Sequence, residues 1–199
     1  MIAPDLIRKL EPMSDLYKRE NTLDLLHEFT RTDGLRRHAY AVEAAMKAAA
    51  EKTGGDVEYW AAVGLLHDFD YEVYPEAPDH PLKGADILRE RGYPEEFVRT
   101  ILSHAAYTGV PRENDCAKWL FAVDELCGFC MACAMVQPDR KIAQVKVKSV
   151  KKKLKKKDFA AKVNREEIAE GAAGLELEPE DVIVHVLEAL VPVGEELGL

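Results

Sequence analysis

The 199-residue chain has no run of the roughly 18 to 20 apolar residues that a membrane-spanning helix needs. Its first residues, MIAPDLIRKLEPMSDL, lack the basic start, apolar core and small-residue cleavage site of a secretory signal. A cytoplasmic location is therefore the expectation. Cysteine is scarce: there are four, and Cys127, Cys130 and Cys133 follow one another at intervals of three. On a helix that spacing makes one drifting face, which calls for no disulfide and suits a reducing compartment. A metal or iron–sulfur site of the CxxCxxC kind would want a fourth ligand, and none is evident. Three small buried residues is the favoured reading. Strand-period alternation and internal repeats are also missing, which leaves an all-α chain.

What remains is ordinary globular composition, with 47% hydrophobic and 32% charged residues and a formal charge of −9. Such a chain makes one domain with at most a modest appendage. Charge is uneven, however. Residues 141–157 are strongly basic and include Lys151-Lys152-Lys153 and Lys155-Lys156-Lys157, so the remainder is more acidic than the mean. A net acidic protein is a poor general nucleic-acid binder, and the basic stretch lacks the interleaved aromatics of a single-strand platform.

Taken in order, residues 6–20 are weakly patterned, with Pro4 and Pro12 interrupting. Asn21 or Thr22 can cap a helix to Phe29, and the turn at Thr32-Asp33-Gly34 precedes a helix over 35–52 that Gly54-Gly55 ends. His38 lies one turn before that helix's apolar stripe of Ala41, Val42 and Ala45, facing inward. Asp56 caps the next helix, whose last part, Ala61-Ala62-Val63-Gly64-Leu65-Leu66, is apolar on every side and stops at His67-Asp68. Pro75, Pro78 and Pro81 exclude long regular structure over 69–81. Helices follow over 82–91, 95–104 and 117–136, then over 142–157, 159–171 and from Pro179 onward.

Burying His67 and Asp68 at a helix end is costly unless something pairs with them, and a divalent metal commonly does. The same reasoning collects His38, His80, His104 and Asp124, each on a different helix or helix edge. Four of the six histidines fall in this set. A single histidine on an apolar face is commonly a satisfied core residue, but four interleaved with two aspartates are not dismissed that way. His27 and His185 lack such surroundings and read as structural or exposed.

Five pieces, Arg37-His38, GLLHDFD (64–70), HPLKGADIL (80–88), ILSHA (101–105) and AVDEL (122–126), resemble the HD-domain metal-dependent phosphohydrolases over about residues 22–136. The resemblance implies an all-α helical bundle with additional C-terminal helices. Its divisions would be an N-terminal extension (1–21), a metal-binding core (22–137) and a C-terminal helical extension packed on that core (138–199). It implies one metal held by His38, His67, Asp68 and Asp124. A second would sit at His80 and His104, with Asp68 bridging. The ions would be two divalent transition metals, iron, manganese or zinc, since imidazole with carboxylate disfavours magnesium or calcium alone. The expected reaction is hydrolysis of a phosphoester of a nucleotide or other small phosphorylated metabolite through a metal-bridging hydroxide. A di-iron oxygenase of the same architecture, or a non-catalytic nucleotide-binding module, are the rival expectations.

The chain departs from that pattern in places. Many relatives continue the doublet as Ile-Gly-Lys, whereas here Phe69-Asp70-Tyr71-Glu72 follows, and one common phosphate contact is lost. Asp70 or Glu72 would orient or deprotonate the attacking water, or else be solvated loop carboxylates. Arg36, Arg37 and Lys83 are candidate phosphate clamps or plain surface charge. Lys148, with Ser149 and Lys152, would reach over the site, or belong to a solvated lysine face. Gly92-Tyr93-Pro94 spells a signature of cyclic-dinucleotide phosphodiesterases, but a helix stop followed by a proline start accounts for it.

Overall fold

The computed structural model describes residues 13–199. It is all-α, without strands among the described residues, and none of its helices is long and apolar enough to cross a membrane. A short 3-10 turn, Met13–Tyr17, leads into α1 (Arg19–Phe29), α2 (Asp33–Thr53), α3 (Val57–Leu66), α4 (Asp79–Glu90), α5 (Glu95–Leu102) and α6 (Asp115–Met135). Helices α7 (Val147–Leu154), α8 (Arg165–Gly174), α9 (Pro179–Leu190) and the single turn α10 (Gly194–Leu197) complete the chain. The part of the 1–21 extension before residue 13 lies outside the described residues.

The α2–α3 pair is the centre of the molecule. Helix α2 ends at Gly54, whose φ of +80° closes it in the left-handed region. After a brief turn the Asp56 side chain accepts the Tyr59 N–H and starts α3. Helix α3 runs through the core, as its all-round apolar composition dictates, with Val63, Leu65 and Leu66 fully buried. Gly64 lets the two helices meet: a Cβ there would lie 2.8 Å from Val42 O and 3.0 Å from Glu43 Cα.

Helix α6 lies against α2, and α8 and α9 cover α6 from the C-terminal side. Gly171 permits the close contact with α6, since a Cβ on it would meet Ala122 Cα at 2.5 Å. The four cysteines are all on α6, free and buried. Cys127 turns its thiol toward Ala41 O at 3.7 Å, so it serves the α2–α6 seam. Burial pushes the thiols of Cys116, Cys127 and Cys130 up and that of Cys133 up to about 11. Fewer than about one thiol per chain is therefore expected to react with a disulfide reagent at pH 8 before denaturation, and all four afterwards.

Several boundaries differ from expectation. Helix α1 begins at Arg19 because Asn21 spends its side-chain amide on Asp15 O (2.7 Å) rather than capping. The expected helix over 142–157 is a 3-10 turn, Ile142–Gln144, followed by the shorter α7. Ile142 and Val145, three residues apart, are both buried, and that anchoring favours the tighter turn. The expected 159–171 helix starts only at Arg165. The Asn164 side chain caps it at the Glu166 N–H (3.1 Å), and Arg165 donates to Val163 O (2.6 Å), holding the preceding residues as a turn. Gly92 (φ +87°) ends α4 and Pro94 precedes α5, while the Tyr93 hydroxyl donates to Leu16 O, so Gly92-Tyr93-Pro94 is a connection.

Candidate metal centre

The expected ligand residues converge at one end of the α2–α3 pair. His38 comes from the first turns of α2, and His67 and Asp68 come from the bend just past α3. His80 arrives where α4 breaks from helical geometry (ψ 134°), His104 just past α5, and Asp124 from the middle of α6. The bend after Leu66 relieves the divergence of adjacent residues on a helix, letting both members of the doublet serve one site.

Each ring is set by what its Nδ1 does. His67 Nδ1–H donates to Gly64 O (2.8 Å) and His104 Nδ1–H to Ile101 O (2.6 Å). His80 Nδ1–H donates to the Asp70 carboxylate (2.9 Å). A carbonyl oxygen can only accept, so Nε2 of His67 and His104 carries the lone pair and turns inward, the arrangement of a metal-ligating imidazole. Asp68 is the hub. One oxygen lies 3.2 Å from Nε2 of both His80 and His104, and the other 3.5 Å from His67 Nε2. Asp124 Oδ1 lies 2.9 Å from His38 Nε2 and 3.3 Å from His67 Nε2. Two groups result, His38–His67–Asp68 and Asp68–His80–His104, each with ligand atoms within 4.8 Å of one another and sharing Asp68.

The donor set fits a divalent transition metal. His67 Nε2, fully buried and without a hydrogen-bond partner, is an atom that an ion would satisfy. Without one, protons take that place. Burial would lower the pKa of His67, yet the charges of Asp68 and Asp124 hold it well above its ordinary value. Burial likewise opposes protonation of His80, but Asp68 and Asp70 raise its pKa to about 9. Asp68 and Asp124 respond in kind: burial would raise them, and the His67 charge leads the interactions that hold both well below the carboxylate range.

The remaining expected residues are placed elsewhere. Asp70 is fully buried, and its second oxygen accepts the Gly84 N–H (2.9 Å), so it orients His80 instead of meeting water in the pocket. Gly84 is required there, because a Cβ would lie 2.6 Å from Asp70 Cγ. Glu72 points away, accepting the Arg31 and Thr32 N–H groups (2.7 and 2.9 Å) at the start of α2. Both departures have one cause: unpaired backbone N–H groups nearby draw the carboxylates. Arg36 donates to Thr30 O (2.7 Å), and Arg37 lies against Gly198. Lys83 and Lys148 are exposed on α4 and α7. None of these four cations lines the open pocket of about 410 Å³ over the cluster. His27 bonds the Tyr40 hydroxyl (2.8 Å), and His185 bonds Ala45 O (3.0 Å) beside Trp119.

Sequence reasoning missed Glu125, Glu167, Tyr71 and Tyr107 on the pocket wall. Glu125 follows Asp124 directly, which was a usable signal. Glu167 had none, because only the docking of α8 on α6 brings it there. Burial and the Asp124 charge push Glu125 up to about 7 and raise Glu167. The Tyr107 hydroxyl donates to His80 O (2.5 Å), and Tyr71 meets the His80 ring edge-on. A larger groove, about 850 Å³, runs between α2 and α9, but its Arg19 is taken by Glu43 and Glu196.

Residues 35–126, just under half of the chain, match the family model described as HD domain, which supports membership of the HD-domain superfamily. Proteins of that superfamily are mostly metal-dependent phosphohydrolases. No curated protein and no solved structure matched.

Asp70→Asn is expected to weaken the metal held at His80 and His104 by about 10–100-fold, by loosening the imidazole it orients. Titration of the metal-free variant with zinc or manganese measures it. Equal affinity in variant and wild type would refute the orienting role.

Proposed function

We propose that this chain is a metal-dependent phosphohydrolase acting on a small phosphorylated metabolite, with two divalent transition-metal ions. The observation that carries the reading is the pair of ligand groups sharing the Asp68 carboxylate. His38, His67, Asp68 and Asp124 would hold one ion, and Asp68, His80 and His104 the other. Bound there, the metals supply Lewis acidity toward phosphoryl oxygens and a water acidic enough to ionise near neutral pH.

The chain's own residues do the rest. Gly64 O, Ile101 O and Asp70 fix the three ring orientations, so the Nε2 atoms need no rearrangement on binding. Tyr71 and Tyr107, both exposed, form one part of the pocket wall beside His80. In the reaction, water oxygen bonds to phosphorus, the P–O ester bond breaks, and the alcohol leaves with a proton.

Purification without oxygen, metal analysis per chain and a screen of phosphomonoesters, phosphodiesters and nucleotides test the reading. About two metals per chain with phosphate release is the expected result. Metal-loaded protein that consumes oxygen and releases no phosphate would overturn it.

A further inference from the structure

We infer that the phosphoester taken by this site carries a cationic group, an ammonium or a guanidinium, held by Glu125 and Glu167. The inference rests on the phosphohydrolase reading above and names its substrate class.

The pocket wall has a charge pattern that suits no polyphosphate. Lysine and arginine are absent from its lining among the described residues. The nearby Arg112 is committed elsewhere, donating to Ser103 O (3.2 Å) and pairing with Glu170 (3.0 Å) while lying on the Phe121 ring. Recognition of phosphate chains ordinarily uses such cations. Instead the wall presents Glu125 from α6 and Glu167 from α8, and neither carboxylate forms an ion pair with a lysine or arginine among the described residues. His38, Asp68, His80, His104 and Asp124 line the same pocket, so the phosphoryl end of a ligand has its place on the floor beside these carboxylates.

A phosphoryl group directed to the ligand residues would leave the rest of its molecule beside these carboxylates. A second anionic group there is repelled, and a cation is welcomed, so the same two side chains select for one and against the other. The pocket's roughly 410 Å³ is at the small end of the range for ligand sites. Together these features describe a compact aminoalkyl or guanidinoalkyl phosphate.

The test compares 3-aminopropylphosphonate with butylphosphonate, which differ by an ammonium in place of a methyl group and cannot be hydrolysed at the ester position. Calorimetric titration of the metal-loaded protein should show at least about tenfold tighter binding of the ammonium ligand, the scale of one charge-assisted contact. Glu167→Gln and Glu125→Gln should each narrow that ratio. In turnover, phosphoethanolamine should exceed propyl phosphate about tenfold in kcat/KM, chiefly through KM. Equal or tighter binding of butylphosphonate by the wild type would overturn the inference whether or not the variants fold. A ratio unchanged in both variants would also overturn it, as would lower metal content in Glu167→Gln, because the carboxylate would then hold an ion. Ammonium preference without any hydrolysis would count against the phosphohydrolase reading alone, and hydrolysis without preference against this inference alone.

Discussion

Asp68→Ala is expected to leave the protein folded, nearly free of metal and roughly a thousandfold or more less active. No other residue belongs to both ligand groups, so its removal takes one ligand from each at once. Losing a group that merely orients a ligand already costs about 10–100-fold in affinity. The loss should exceed that, because three imidazole Nε2 atoms would be left without the carboxylate that balances them. The fold should survive, since Asp68 sits in the bend beyond α3 and half-faces the pocket. Metal analysis, turnover and far-ultraviolet circular dichroism on the same sample separate these outcomes. Two ions per chain and undiminished turnover in the variant would refute the bridging role.

The second large effect is on stability. Gly64→Ala should destabilise the protein by about 2 to 3 kcal/mol, as overpacking against a neighbour that cannot yield does. The neighbour is backbone, Val42 O at 2.8 Å and Glu43 Cα at 3.0 Å, so relief requires α2 and α3 to separate. Those helices deliver His38 and the His67-Asp68 doublet, so metal affinity should fall with stability. For a chain of this size the midpoint of thermal unfolding should drop by about 5 to 10 °C. Gly34→Ala is the control: it lies within α2 with nothing near an added Cβ, and should be neutral or slightly stabilising. Similar melting of the two variants would show that the α2–α3 approach is not the constraint described.

Much of the site was legible beforehand because each ligand residue lies at a local landmark. His67-Asp68 ends an apolar helix, His80 precedes a proline, and His104 and Asp124 fall within apolar helical patterns. The spacing of such residues reports a face directly. Side chains that bond to backbone could not be read that way. Asp70 or Glu72 was a candidate to orient the attacking water, with solvated loop carboxylates as the alternative. One is drawn to His80 and the Gly84 N–H, the other to the first N–H groups of α2. Arg36 was a candidate phosphate clamp, but a carbonyl six residues away takes its guanidinium.

By itself the sequence determined the all-α class and the core course of α3, because periodicity is a local property, and its motifs carried the HD-domain resemblance over about residues 22–136 with the six candidate ligands that the resemblance implies. Tertiary structure alone decided which candidate ligands group around Asp68, that no lysine or arginine lines the pocket among the described residues, and that Glu167 of α8 does. Those outcomes depend on helices far apart in the chain docking at glycines such as Gly64 and Gly171, where a single Cβ would keep backbones apart. A linear reading registers that a glycine is present, but the neighbour it admits is set only by the folded chain.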